Sequence, residues 1–324
     1  MPFANLYSQQ IDDEIVLAVA VHVSEYTKSQ GLSLEKGSRE DYPWQYFQIY
    51  TLLEEALLSD GTAFVEISDA DIERGGLLTS KGNPKYPILI SLAAECISDQ
   101  EAAAISLYVK NGGFAYIGSS SWTRYPDGSF RSNFALQLEM GISSTIHGAP
   151  NWIMIGDQGA RIRRISNHRL VDHLISNIPM RWAMPESYFD TYKFYANGSP
   201  TSHFAWSTYC ITAEPLVMVE GDNIPFLAIK NSEKGWYIYH AEISPLAGWG
   251  EGNAVLLEYT FFRKAIEWAF ESLKLPLARV AVWPYPYKSA FILRHDDISN
   301  PPLSAILEEE ARGTTGQYFI VTDW

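Results

Sequence analysis

The residues whose types and spacing best suit chemistry are Arg294-His295-Asp296-Asp297, which follow the apolar run Ser289-Ala290-Phe291-Ile292-Leu293 without a break. Adjacent carboxylates at the end of a buried strand are costly unless they bind something. A strand that leaves a core and ends in Asp-Asp puts two acids at the carboxyl edge of a sheet, where α/β folds build their sites. One acid can hold a divalent cation while its neighbour moves a proton. The competing reading is a solvated loop in which Asp297 caps the helix that follows. On a strand, His295 points to the same side as Asp297, so it either sits near the cation or packs beneath the sheet. Arg294 points with Asp296, where a guanidinium would hold the carboxylate ionised, as a general base requires.

The elements around these residues predict one strand-helix-strand unit. Pro301 and Pro302 suit the first turn of a helix over 303–312, because the missing N–H of proline has no partner there anyway. Gly313-Thr314-Thr315-Gly316 stops that helix, and Gln317 to Thr322 is the next strand. Such a unit opens a (β/α) barrel without completing it. The segment Lys288 to Asp297 resembles the first motif of the polysaccharide deacetylase (NodB-homology) family, an apolar strand running into Thr-Phe-Asp-Asp-Gly, and Gly316 to Thr322 resembles that family's second strand. Arg294-His295 replaces Thr-Phe, and Ile298 replaces the Gly. The resemblance implies that Asp296 is the catalytic general base and Asp297 the metal ligand; Arg294 and His295, which depart from the family, are candidates for supporting them by strand direction alone. It implies a divalent metal ion, zinc or another transition metal, and removal of acetyl groups from N- or O-acetylated poly- or oligosaccharides. The family's His-x-x-x-His motif, which completes the metal site, is expected beyond Trp324. The metal is therefore expected only in a complete domain, and the chain as given is expected to be inactive.

The first part of the chain predicts an α/β domain. Strands are expected over 14–22, 62–67, 86–92 and 114–117, with helices over 46–58 and 101–109 between them. Ser98-Asp99-Gln100-Glu101 has capping-box spacing, and Asn111-Gly112-Gly113 stops the helix it opens. Strand, helix and strand with short connections imply a parallel crossover. The stretch from Pro87 to Gly118 resembles the glutamine-amidotransferase-like domain found beside bacterial glycosidases, including the β-galactosidase trimerisation domain. Phe134 to Gly141, Asn167 to Pro179, Glu233 to Tyr239 and Tyr259 to Phe270 continue the likeness. It implies a flavodoxin-like parallel sheet with flanking helices, and it is compatible with a homo-oligomer.

Other candidates carry less. Cys96 follows a strand, but Ala94-Glu95 and Ile97-Ser98 give it none of the glycines of a nucleophile elbow, so an amidohydrolase reading is the weakest. Gly118-Ser119-Ser120-Ser121 suits a turn and cap better than a nucleophile. His168 and His173 are five apart, the wrong spacing for a helical metal clamp. His22, His147, His203 and His240 are isolated in sequence and are expected to be satisfied polar groups. Arg161, Arg163 and Arg164 make a solvated basic face or hold an anionic group.

Composition narrows the partners. A net charge of −14 and a pI near 4.9 oppose nucleic acid and anionic membranes, and no apolar run is long enough for a membrane span. Neutral sugar polymers remain permitted. Ten Trp and nineteen Tyr suit stacking on sugars, and equally a large core. Met1 to Gln10 lacks a basic n-region, so no signal peptide is visible and the cytoplasm is the expected location. The expected organisation is a domain over 1–275 and a deacetylase-like fragment over 276–324, joined by the Pro- and aromatic-rich link near Leu275. The alternative to an enzyme is a non-catalytic carbohydrate-binding or oligomerisation module.

Overall fold

The structure is a computed structural model that describes residues 14–32, 44–92, 94–118, 121–144, 152–154, 161–176, 180–181, 195–196, 199–200, 204–206, 208–220, 224–241, 252–279, 293–295 and 316–318. The chain divides into two compact units, Met1–Arg279 and Val280–Trp324.

The first unit is built on a nine-stranded sheet. Its strands in chain order are β1 (Val19–Val23), β2 (Phe64–Ser68), β3 (Ile88–Leu92), β4 (Phe114–Gly118), β5 (Arg161–Arg164), β6 (Met180–Arg181), β7 (Glu214–Val219), β8 (Pro225–Ser232) and β9 (Gly235–His240). They lie in the order β2-β1-β3-β4-β9-β8-β7-β5-β6. From β2 to β9 every neighbouring pair is parallel, and from β9 to β6 every pair is antiparallel. The sheet is therefore parallel from β2 to β9, as the sequence predicts, and continues antiparallel beyond β9, which the sequence does not predict. The physical reason is the turn at Glu233-Lys234, which reverses β8 directly into β9 and leaves no length for a crossover helix. In the parallel half the order runs outward in both directions from β1 and β3, as in open doubly wound sheets, so the crevice between these two strands is a topological switch point.

All five residues of β1, β3 and β4 are buried. Successive side chains point to opposite faces, so these strands are covered on both sides, as their continuous apolar runs predict. The covering helices include α1 (Trp44–Ser59), α2 (Asp69–Glu73), α3 (Asp99–Lys110) and α4 (Gly252–Ser272). α2 and α3 both open on capping boxes, Ser68 with Asp71 and Ser98 with Glu101. Among the described residues many aromatics serve as core. Phe114 and Trp268 meet edge to face at 5.0 Å, Tyr116 leans on Phe262, and Trp236 on Trp268.

The segment read as the start of the link closes the first unit. Leu275 and Leu277 pack against the core, and Arg279 reaches Asp60 at 2.8 Å and Glu267 at 2.9 Å. In the second unit the described residues form two short strands, Leu293–His295 and Gly316–Tyr318, paired in parallel. Among the described residues no helix is long and apolar enough to cross a membrane.

Candidate functional site

The carboxyl ends of β1, β2 and β3 meet at the switch point, and a buried polar cluster forms there. β1 brings His22 and β3 brings Ser91. Asp69, the first residue of α2, follows β2 directly, and Glu101 lies in the first turn of α3. His22 Nδ1 lies 3.0 Å from Ser91 Oγ, and Nε2 lies 2.9 Å from Asp69 Oδ1. The Nε1–H of Trp122 donates to the same Ser91 oxygen at 3.1 Å. Asp69 Oδ2 accepts the backbone N–H of Tyr26 at 2.9 Å. Glu101 uses Oε2 for its capping bond from the Ser98 N–H, while Oε1 sits 3.0 Å from His22 Nε2. Nε2 meets hydrogen-bond geometry with Asp69 and not with Glu101 Oε1, which has no hydrogen-bond partner despite its closeness.

All three ionisable side chains are buried. Burial alone would lower the basicity of the His22 ring, but Glu101 and Asp69 outweigh it, and His22 is pushed up to about 9. Burial pushes the Glu101 carboxyl up, against the pull of His22. His22 is therefore a satisfied polar group, as expected, yet it is not isolated. Its partners lie far along the chain, and only the sheet order brings them together.

Beside the cluster, Ser24 Oγ donates to the Cys96 carbonyl, and the Cys96 N–H donates to Thr27 Oγ1 at 3.0 Å. Burial, with Glu95 beside it, pushes the Cys96 thiol up to about 12. A buried thiol whose pKa is raised is a poor nucleophile, which speaks against the amidohydrolase reading. Ser121 donates to the Gly118 carbonyl at 2.7 Å and acts as a turn residue.

A second buried group joins β4, β9 and α4. The Tyr116 hydroxyl and Glu258 Oε1 lie 2.9 and 3.2 Å from His240 Nδ1, and burial pushes Glu258 up. His168 rests against Trp268 and His173 against Phe261, with burial pushing His173 down to about 4; both sit at the core edge, as expected. Arg163 pairs with Glu220, and Arg164 donates to the carbonyls of Ser166 and Leu174, so two members of the basic cluster are held by the protein itself. His147 and His203 lie outside the described residues.

Of the four residues singled out first, Arg294 and His295 stand on the strand Leu293–His295, in register with Gln317 and Tyr318. Asp296 and Asp297 lie outside the described residues, as does the helix expected over 303–312.

No protein-family model matches the chain, and no curated protein matches it. Among solved structures, the β-galactosidase from Rahnella sp. R3 superposes with a TM-score of 0.56 at 15% identity, over 84% of this chain and 33% of that one. The fold is β-galactosidase-like. The β-galactosidase from Bacillus circulans sp. alkalophilus gives a TM-score of 0.51 at 15% identity, over 81% of this chain and 31% of that one. The enzyme from the haloarchaeon Halorubrum lacusprofundi gives 0.51 at 13% identity, over 82% and 31%. The chain thus spans about a third of the length of these β-galactosidases.

Proposed function

We propose that this chain is part of a metal-dependent carbohydrate deacetylase, in which the first unit is a catalytically silent accessory domain and the second begins the catalytic domain. The observation that carries this reading is the parallel pairing of Leu293–His295 with Gly316–Tyr318, the arrangement required of a strand-helix-strand unit that opens a (β/α) barrel. Asp296 follows the first of these strands directly, at its carboxyl end, where barrel chemistry is built.

In this reading Asp297 would hold a divalent cation, and a cation bound there supplies Lewis-acid polarisation of the acetyl carbonyl and a more acidic water. Asp296 takes the water's proton, and Arg294 keeps that carboxylate ionised. The substrate class is an N- or O-acetylated poly- or oligosaccharide. The β-galactosidase-like fold of the larger unit supports a role beside sugar chemistry, and the sealed Cys96 supports its lack of chemistry of its own. The glutamine-amidotransferase-like, trimerisation-type assignment of that unit belongs to the same proposal, and with it a homo-oligomer.

A second reading, a binding or assembly module with no catalysis, is favoured by the first unit alone, whose polar clusters are buried and closed to a polymer. Acetyl release from acetylated chito-oligosaccharides by the natural protein, with whatever follows Trp324, separates the two. Metal-dependent release that is lost in Asp297→Ala supports the deacetylase. Stable folding with no release under zinc, cobalt or nickel supports the module.

A further inference from the structure

Among the described residues one group of His, Cys, Asp and Glu brings three ligand atoms within 4.8 Å of one another: His22, Asp69 and Glu101. We propose that these three side chains bind a divalent first-row cation, with zinc as the natural probe, in a buried site of the first unit.

Three features of the cluster carry the proposal. The first is geometry. His22 Nε2 lies 2.9 Å from Asp69 Oδ1 and 3.0 Å from Glu101 Oε1. Donors bonded to one tetrahedral zinc at its usual bond lengths stand about 3.4 Å apart, so side-chain adjustments of a few tenths of an ångström admit the ion. The second is an oxygen without a hydrogen bond. Glu101 is fully buried, its Oε1 faces the shared space, and no donor points at it. Such an oxygen is expensive in a protein interior, and a cation in that space satisfies it. The third is the support behind the ligands. Ser91 Oγ, fixed by the Trp122 N–H, stands 3.0 Å from His22 Nδ1 and can accept its proton, which turns the lone pair of Nε2 toward the two carboxylates. Asp69 Oδ2 is held by the Tyr26 N–H and Glu101 Oε2 by the Ser98 N–H, so each carboxylate presents one oxygen to the site and is oriented by the other.

The charges agree as well. The cation takes the place of the ring proton of His22, and the neutral imidazole then left with two carboxylates carries two negative charges, the complement of a divalent ion. One nitrogen and two carboxylate oxygens are donors that zinc accepts, leaving the remaining position to water. Because the ligands are sealed from solvent, the cation enters as the unit folds and ties the ends of β1, β2 and β3 together. The site is separate from Asp297 and does not depend on the deacetylase reading.

The test is zinc content and thermal stability of the full chain, purified without chelator and then titrated with zinc alone. About one zinc per chain is expected in the wild type and in Asp297→Asn, with the midpoint of unfolding raised by added zinc. In Glu101→Gln, affinity should fall at least tenfold, on the scale of losing one ligand. A wild type that retains no zinc and shows no zinc-dependent shift overturns the proposal. So does zinc content unchanged in Glu101→Gln, or zinc lost in Asp297→Asn but kept in Glu101→Gln. If Glu101→Gln does not fold, the cobalt-loaded wild type decides. A spectrum with nitrogen and oxygen ligation only supports the site, and a thiolate charge-transfer band from Cys96 or Cys210 overturns it.

Discussion

Asp69→Ala and Asp69→Asn, compared in the presence of chelator, probe how the switch-point cluster holds the first unit together. Asp69 spans the cluster, with Oδ1 at 2.9 Å from His22 Nε2 and Oδ2 at 2.9 Å from the Tyr26 N–H. Alanine strips both partners at once. A backbone donor left unsatisfied costs about 1–3 kcal/mol, and removing one member of a buried ion pair costs about 3–5 kcal/mol. These losses overlap, because Glu101 still faces His22, so the expected total is about 3–4 kcal/mol. Asparagine keeps an oxygen for Tyr26, and its amide can donate to Nε2 once the ring proton moves to Nδ1 and Ser91. Its cost should be about 1 kcal/mol. For a unit of this size each kcal/mol lowers the midpoint by roughly 2 °C, so Ala should melt roughly 6–8 °C below wild type and Asn roughly 2 °C below it. Denaturant unfolding with a matched slope gives the same comparison in free energy. Equal costs for Ala and Asn, or a cost for Ala below ~1 kcal/mol, would refute the view that these hydrogen bonds hold the strand ends.

Three further outcomes follow from the packing. Gly235→Ala should not yield folded protein, because its Cβ would lie 2.2 Å from the backbone oxygens of Gly113 and Val109, whereas Gly82→Ala, with φ +79° and open space, should cost only about 1–2 kcal/mol; soluble yield and unfolding midpoint check both. Cys96 should resist iodoacetamide in the native protein at pH 8, since a thiol pushed up to about 12 is ionised in only about one molecule in ten thousand, and mass-spectrometric mapping before and after denaturation reads this out. Ending the first unit at Leu275 instead of Arg279 removes the packed Leu277 and the ion pairs from Arg279 to the part-exposed Asp60 and Glu267, so the shorter version should lose about 1–2 kcal/mol and melt roughly 2–4 °C lower.

The α/β half of this fold was legible because its signals are local. Ser98 and Glu101 are three residues apart, and their capping box opens α3 where the spacing predicts. Asn111-Gly112-Gly113 likewise ends it, with Gly112 at φ +114°. The helix α2 was not anticipated, because its capping box uses Asp71 where the usual signal is Glu or Gln. The antiparallel half was not anticipated either. A strand such as β9 carries no mark of its neighbour, and it enters the sheet beside β4 only after a long insertion.

The switch-point cluster was half legible. Glu101 announces its capping role, but nothing local says that its other oxygen faces His22. His22 meets Asp69 at a separation of 47 residues and Ser91 at 69, distances that only the strand order closes. A buried His on a strand with five buried positions carries no alternation to distinguish it from core. The Asp296-Asp297 pair is the opposite case, plain in sequence and outside the described residues.

The most direct measurement of the proposed function is metal content together with acetyl release for Asp296→Asn and Asp297→Asn in the natural protein, including whatever follows Trp324. Asp297→Asn should lose activity and the metal of the second unit, while the metal of the His22-Asp69-Glu101 site in the first unit stays. Asp296→Asn should keep the metal and lose about two to four orders of magnitude in rate, the usual worth of general acid–base help. Metal content equal to wild type and unchanged acetyl release in both variants would contradict the account.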